Sequence, residues 1–219
     1  MSCADRVIAL SQVHTEHQLL ILLVGLSIAW LEPQNPDAAK LLAHYKTQQY
    51  SFSALREAAL QLFLLAGFQA SLEAAFQTEQ VFGHGLNEDD IDERQQLSSE
   101  QLHTIGRELQ ATVYRGNVEK LRANLRNVSV ELADWTVRIG YGLVLSRPGM
   151  PAHWRDLLEV AVLAVQGFPR QLHSHLRGAL NLGASPNEID LVLEAARESA
   201  TKERYDAALQ MWRKIQQSL

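Results

Sequence analysis

The chain has 219 residues, 47% of them hydrophobic, which is enough to bury one large core, and it carries a formal net charge of −5 at pH 7. That acidic balance offers no basic surface to a phosphate backbone, so no nucleic-acid partner is expected. The single cysteine, Cys3, rules out a disulfide framework, a CxxC redox pair and a cysteine zinc site, and points to a reducing, cytoplasmic compartment.

In chain order, the first strong signal is Leu19 to Leu31 (LLILLVGLSIAWL), the most apolar run in the chain. It falls short of the ~20 residues a membrane-spanning helix needs and reads as a core helix, with no membrane partner expected. Asp5 and Glu16 precede it and no small-x-small site follows, which argues against a signal peptide. His14 and His17 stand at i, i+3 before it and read as surface residues, because no third metal ligand is indicated. Asn35-Pro36 pairs an N-cap with proline at the first helical position, and Ser53 can cap a helix holding Leu55 to Ala66. The acidic stretch Asn87 to Glu100 is the one candidate connector and reads as a solvated face, closed by a Ser98/Gln101 capping box.

Ser129 precedes another apolar-periodic run, and Ser146-Arg147-Pro148-Gly149-Met150 reads as a turn between helices. The helix Trp154 to Gln166 is apolar around its circumference after the first turn, which marks it as central. Asp156 falls in its first turn, where the helix dipole favours a carboxylate. Glu159 lies deeper, among Leu158, Val160 and Val162, and must be paired or held protonated. Pro169 can open the next helix after Gly167, and Ser185-Pro186-Asn187-Glu188 combines a capping box with an N1 proline. No segment alternates with period two between hairpin turns, so the fold class is all-α, about ten helices on short connections.

Two stretches repeat. Leu55 to Phe76 (LREAALQLFLLAGFQASLEAAF) and Trp154 to Leu176 (WRDLLEVAVLAVQGFPRQLHSHL) set Gly67-Phe68 on Gly167-Phe168 and Leu72 on Leu172, and the match runs on to Gly83 and Gly183. This predicts an internal duplication, with pseudo-repeats over about 50–92 and 150–192 welded by a helical connector into one domain spanning 1–219. The second copy carries His173 and His175 where the first has Glu73 and Ala75, so any chemistry is expected there.

Leu172, Leu176, Ala179 and Leu180 form one helical stripe, flanked on opposite sides by His173 and His175, so the two histidines do not share a metal. Beside His175 stand Gln171 at i−4 and the small Gly178 and Ala179, which predicts a notch that a substrate or another chain could enter. An imidazole there suits proton transfer at neutral pH; the other reading is that it only hydrogen-bonds a neighbouring helix or subunit. No P-loop, GxGxxG, GxSxG or HExxH is present.

Tyr141-Gly142, Ser146-Arg147-Pro148-Gly149, Leu172-His173-Ser174-His175-Leu176-Arg177-Gly178-Ala179-Leu180-Asn181, Gly183 and Glu188-Ile189 together resemble the carboxymuconolactone decarboxylase family, which includes the alkylhydroperoxidase D-like proteins. The resemblance covers about residues 105–215 and, more faintly, the first half. It implies an all-helical alkylhydroperoxidase D-like fold that assembles as trimers or hexamers; a duplicated chain would then form a trimer. His175 falls on the family's histidine and Asp156 where the peroxidase branch has a glutamate, while that branch's two cysteines fall on Phe168 and Gln171. Without a thiolate, thiol peroxidase activity is not expected. The decarboxylase branch implies a small carboxylated lactone as substrate and neither a metal nor an organic cofactor. In that role His175 would deliver or relay the proton, Glu159 or Asp156 would orient it, and Arg147 and Gln171 would bind the substrate. Leu145 replaces the tryptophan usual before SRPG, and Glu198 to Glu203 replaces a Gly-Pro-containing turn. The alternative function is a helical oligomer that binds a small ligand or protein partner without chemistry.

Overall fold

The computed structural model describes residues 1–83 and 96–219, and among them there is no strand. Five helices form the first half: α1 (Cys3–Val13), α2 (Gln18–Ala29), α3 (Pro36–Thr47), α4 (Phe52–Ala66) and α5 (Phe68–Phe82). After the connector, whose residues to Gln95 lie outside the described ones, come α6 (Ser99–Tyr114), α7 (Val118–Val128) and α8 (Val130–Trp135). α8 runs directly into a π-helical stretch, Thr136–Leu145, and the second half closes with α9 (Ala152–Gln166), α10 (Pro169–Asn181), α11 (Pro186–Ala196) and α12 (Lys202–Gln216).

Most of the punctuation expected from sequence holds the helix ends. Asn35 accepts from the Asp37 amide, and Ser98/Gln101 and Ser185/Glu188 form reciprocal capping boxes, each removing two orphan donors from a helix start. Pro169 and Pro186 open α10 and α11 as expected. Ser53 does not cap α4, which begins one residue earlier at Phe52 after Ser51 and makes no side-chain cap. At the end of α6 the positive φ falls on Arg115 (48°) and not on Gly116. The hairpin glycines Gly67 and Gly167 share positive φ (87° and 78°) but differ in ψ (176° and 46°), so the α4–α5 and α9–α10 hairpins turn differently.

The apolar run at Leu19 becomes α2, and Leu20 to Ala29 are all buried. α2 packs on α1, α3, α4, α9 and α11, while α9 packs on α2, α4, α10, α11 and α12, so these two helices carry the core. No single helix among the described residues is long and apolar enough to cross a membrane; α1 and α2 together pass by composition but are bent by 115°. A smaller cluster of Val113, Tyr141 and Leu145 joins α6 to the π-helical stretch. Their backbones nearly touch there: a Cβ on Gly106 would overlap Val137 O, and one on Gly142 would overlap Leu102 O, so only glycine permits the approach.

Candidate active site

α9 starts at Ala152, two residues before the expected Trp154, so Asp156 stands beyond the first turn, and its side chain faces α10. Packed there, Asp156 is buried along with Glu159 (2% and 3% exposed), a result the dipole explanation did not anticipate. The two carboxylates stand at i, i+3 on one side of α9, and His175 reaches them from α10. His175 Nδ1 lies 3.1 Å from Asp156 Oδ1 in hydrogen-bond geometry. Glu159 Oε2 is 2.6 Å from the same nitrogen but off the N–H line, since one hydrogen cannot serve both acceptors. Carboxylates only accept, so Nδ1 carries a hydrogen.

Burial pushes the Asp156 carboxyl up to about 6; His175 opposes that shift and Glu159 adds to it. For His175, burial alone would lower the pKa, but the charges of Glu159 and Asp156 prevail and hold the imidazole well above its ordinary value. At neutral pH the ring is accordingly an imidazolium gripped on one nitrogen. No partner is described for Nε2, and the side chain keeps 15% exposure, so the free edge of the ring meets the surface.

The notch predicted beside His175 exists, but it is filled from within. A Cβ on Gly178 would overlap Asp156 Oδ2 and come within 2.8 Å of Val113 Cγ1, so the missing side chain makes room for the carboxylate and not for a visitor. Arg147 also departs from its expected place. Its guanidinium forms a bidentate pair with Glu57 on α4 (Nε to Oε2 2.8 Å, Nη2 to Oε1 3.0 Å), and Arg155 Nη2 reaches Glu57 Oε2 at 2.9 Å. The same Nη2 donates to Arg147 O and Pro148 O, which ties the SRPG turn to α9. The fork that was to bind a substrate carboxylate is thus filled by one of the protein's own, buried at 2% exposure. Gln171 is exposed on α10, one turn before His175.

Two groups at the site went unassigned from sequence. Tyr141 Oη, from the π-helical stretch, pairs with Tyr114 Oη at 3.0 Å, and burial raises both phenols. Tyr114 lies within electrostatic reach of His175, Asp156 and Glu159. Its backbone is pinned beside them, because Asn181 Nδ2 donates to Val113 O and Arg115 Nη2 donates to Asn181 O. Nothing in local spacing marks Tyr114, since it meets α10 only through the packing of α6. A groove of about 410 Å³ between α1 and α11, lined by residues such as Cys3, Arg6, Leu10, Glu194 and Glu198, contains none of these groups.

A relative from Acinetobacter baylyi named 4-carboxymuconolactone decarboxylase is 31% identical over 102 residues, which cover 46% of this chain and 76% of that protein. The model of the carboxymuconolactone decarboxylase family matches residues 131–214. The chain belongs to the carboxymuconolactone decarboxylase family. The family match runs from α8 to α12 and contains Asp156, Glu159, His175, Arg147 and Tyr141. Glu57 lies outside it, so the group that occupies Arg147 comes from the part of the chain beyond the matched segment.

Proposed function

We propose that the chain is a decarboxylase-like acid–base enzyme acting on a small carboxylated lactone, with His175 as its proton donor. The observation that carries this reading is the grip of two buried carboxylates on His175 Nδ1 while the ring keeps an exposed edge. When carbon dioxide leaves a carboxylated lactone, the bonding pair stays on carbon, delocalised into the neighbouring carbonyl. An imidazolium at Nε2 quenches that charge, and the carboxylates behind Nδ1 hold the ring in place and stabilise its protonated form. Gln171 stands on the same face and supplies an amide for the substrate. Thiol peroxidase chemistry has no place here, because Phe168 and Gln171 stand at the positions of the thiols.

The purified protein, given 4-carboxymuconolactone and related carboxylated lactones, is expected to release carbon dioxide, and His175→Ala to lose roughly 100-fold or more of that rate. Equal rates in the two proteins, or no turnover of any such compound, would overturn the assignment. The second reading, a helical scaffold that binds without chemistry, is favoured by two particulars: Glu57 fills the Arg147 fork and Asp156 fills the notch. The lactone panel separates the readings.

We also propose a homotrimer. Phe68, Leu72 and Phe76 form an exposed apolar stripe at i, i+4, i+8 on α5, and Phe168 is exposed at the start of α10. Leu72→Asp is expected to shift the mass in solution, read by light scattering, from three chains toward one. An unchanged mass would remove α5 from the interface.

A further inference from the structure

We infer that Tyr114 is a second substrate-contacting group of the reaction, its phenol donating a hydrogen bond to the lactone carbonyl oxygen that takes up the charge left by departing carbon dioxide. The inference rests on the proton-transfer reading of His175 and supplies what that reading lacks, a donor for oxygen beside the donor for carbon.

The first ground is the hydrogen-bond balance of the two phenols. Tyr141 is buried at 3% exposure, and Tyr114 Oη, 3.0 Å away, is the partner described for its hydroxyl. If Tyr114 were the donor, the Tyr141 hydrogen would be sealed in the core with no described acceptor, a cost that the opposite direction avoids. Tyr141 therefore donates, and the hydrogen of Tyr114 is turned away from it. That hydrogen is not spent on the nearby acids, because Asp156 Oδ2 and Glu159 Oε2 take no hydrogen bond from it. Tyr114 is only half-buried, so its O–H, unlike that of Tyr141, is within reach of a ligand.

Placement is the second ground. Val113, the preceding residue, packs against Gly178 where Asp156 Oδ2 also arrives, three residues after His175 on α10. Asn181 Nδ2 donates to Val113 O at 2.7 Å and Arg115 Nη2 to Asn181 O at 2.9 Å, so the residues on either side of Tyr114 clamp the end of α6 to α10. The Tyr114 ring meets that of Tyr141 edge to face, with 6.2 Å between centroids, which fixes its direction. Among the charges of the cluster the imidazole acts on Tyr114 most strongly, ahead of either carboxylate, and burial keeps the phenol in its neutral, donating form.

In the step itself the bond between the ring carbon and the carboxylate breaks, carbon dioxide leaves, and the electron pair moves through the conjugated system onto the carbonyl oxygen. Tyr114 gives that oxygen a hydrogen bond and keeps its proton, while His175 Nε2 gives its own proton to carbon and is left neutral. A donor aimed where charge develops holds the transition state more tightly than the substrate.

Tyr114→Phe removes the O–H and keeps the ring. Its kcat on 4-carboxymuconolactone is expected to fall roughly 100-fold with KM unchanged. The substitution also orphans the buried hydrogen of Tyr141, so the double variant Tyr114→Phe/Tyr141→Phe, which removes both hydroxyls, is measured beside it. A structural role alone predicts that the double variant regains the rate; the oxyanion role predicts that it does not. Tetronate, a stable lactone enolate, resembles the charged intermediate without reacting. Titrated calorimetrically at neutral pH, it is expected to bind wild type and to bind both variants roughly tenfold more weakly. Rates and tetronate affinities equal to wild type in either variant, or recovery of the rate in the double variant, would overturn the inference, as would a wild type that does not bind tetronate. A wild type that turns over no lactone sinks the decarboxylase reading, and the tetronate titration then still decides for or against Tyr114 as an oxyanion donor.

Discussion

Glu57→Ala is expected to destabilise the protein by about 3–5 kcal/mol, the cost of leaving buried charge without its partner. Glu57 receives the bidentate fork of Arg147 and one nitrogen of Arg155, and all three side chains are buried. Those guanidinium groups cannot lose their protons to escape the penalty. The loss also reaches beyond the pair. Arg155 Nη2 holds the carbonyls of Arg147 and Pro148, and Gln61 Nε2 donates to Arg155 O, so α4, α9 and the SRPG turn share one polar joint. For a chain of this size the change corresponds to a fall in melting temperature of roughly 10 °C. Calorimetry of wild type, Glu57→Ala and Glu57→Gln would measure it. Glu57→Gln keeps the shape and some acceptor capacity, so it is expected to fall between the other two. A Glu57→Ala protein that melts with wild type would show that the joint contributes nothing net.

The second large effect is a pH dependence that runs opposite to ordinary acid unfolding. Asp156 ionises at about 6 in the fold and at 3.8 without it, chiefly because burial disfavours its charge. Between those values the folded chain keeps a proton that the unfolded chain gives up, so stability falls as pH rises through the window. The difference amounts to about 2–3 kcal/mol for an isolated group. His175 acts in the same direction at higher pH: its contribution is complete below the unfolded value of 6.5 and is lost as pH climbs through its raised folded value. Other carboxylates work the other way. Asp5, Glu131 and Asp134 are held below their usual values, so they lose stabilisation as pH falls.

The informative quantity is therefore the difference between wild type and Asp156→Asn in urea unfolding across pH 4 to 6.5. The asparagine cannot titrate, so wild type should lose its advantage over the variant as pH rises through that window. The groups facing Asp156 are His175, Glu159, Tyr114 and Tyr141, and both phenols stay protonated throughout because burial raises them. A constant difference between the two proteins would mean that Asp156 is not titrating in the fold.

The two functional readings meet at Arg147. In the decarboxylase reading the substrate's carboxylate needs a cation or a polar anchor, and the nearest motif arginine already holds Glu57. Substrate would then be bound through Gln171 and the exposed edge of His175, with the SRPG turn serving to fix α9. In the scaffold reading the same joint is the reason no small acid is admitted. Turnover of a carboxylated lactone, followed by its loss in His175→Ala, decides between them.

What the sequence determined by itself were the features governed by neighbours along the chain. Capping boxes at Ser98 and Ser185, the N1 prolines Pro169 and Pro186, and the apolar run that becomes α2 are set within a few residues, where backbone hydrogen bonds and helical periodicity act. Glu159 was legible as a buried carboxylate because apolar residues surround it on its own helix. Three things were decided only in the folded molecule. Glu57 claimed Arg147 across 90 residues of sequence, Tyr114 arrived beside α10 through the glycine contact of α6 with the π-helical stretch, and Asp156 took the space that Gly178 leaves. Each depends on which charge or cavity a side chain meets on another helix, and that is fixed by packing of the whole core, not by the spacing of residues along one strand of chain.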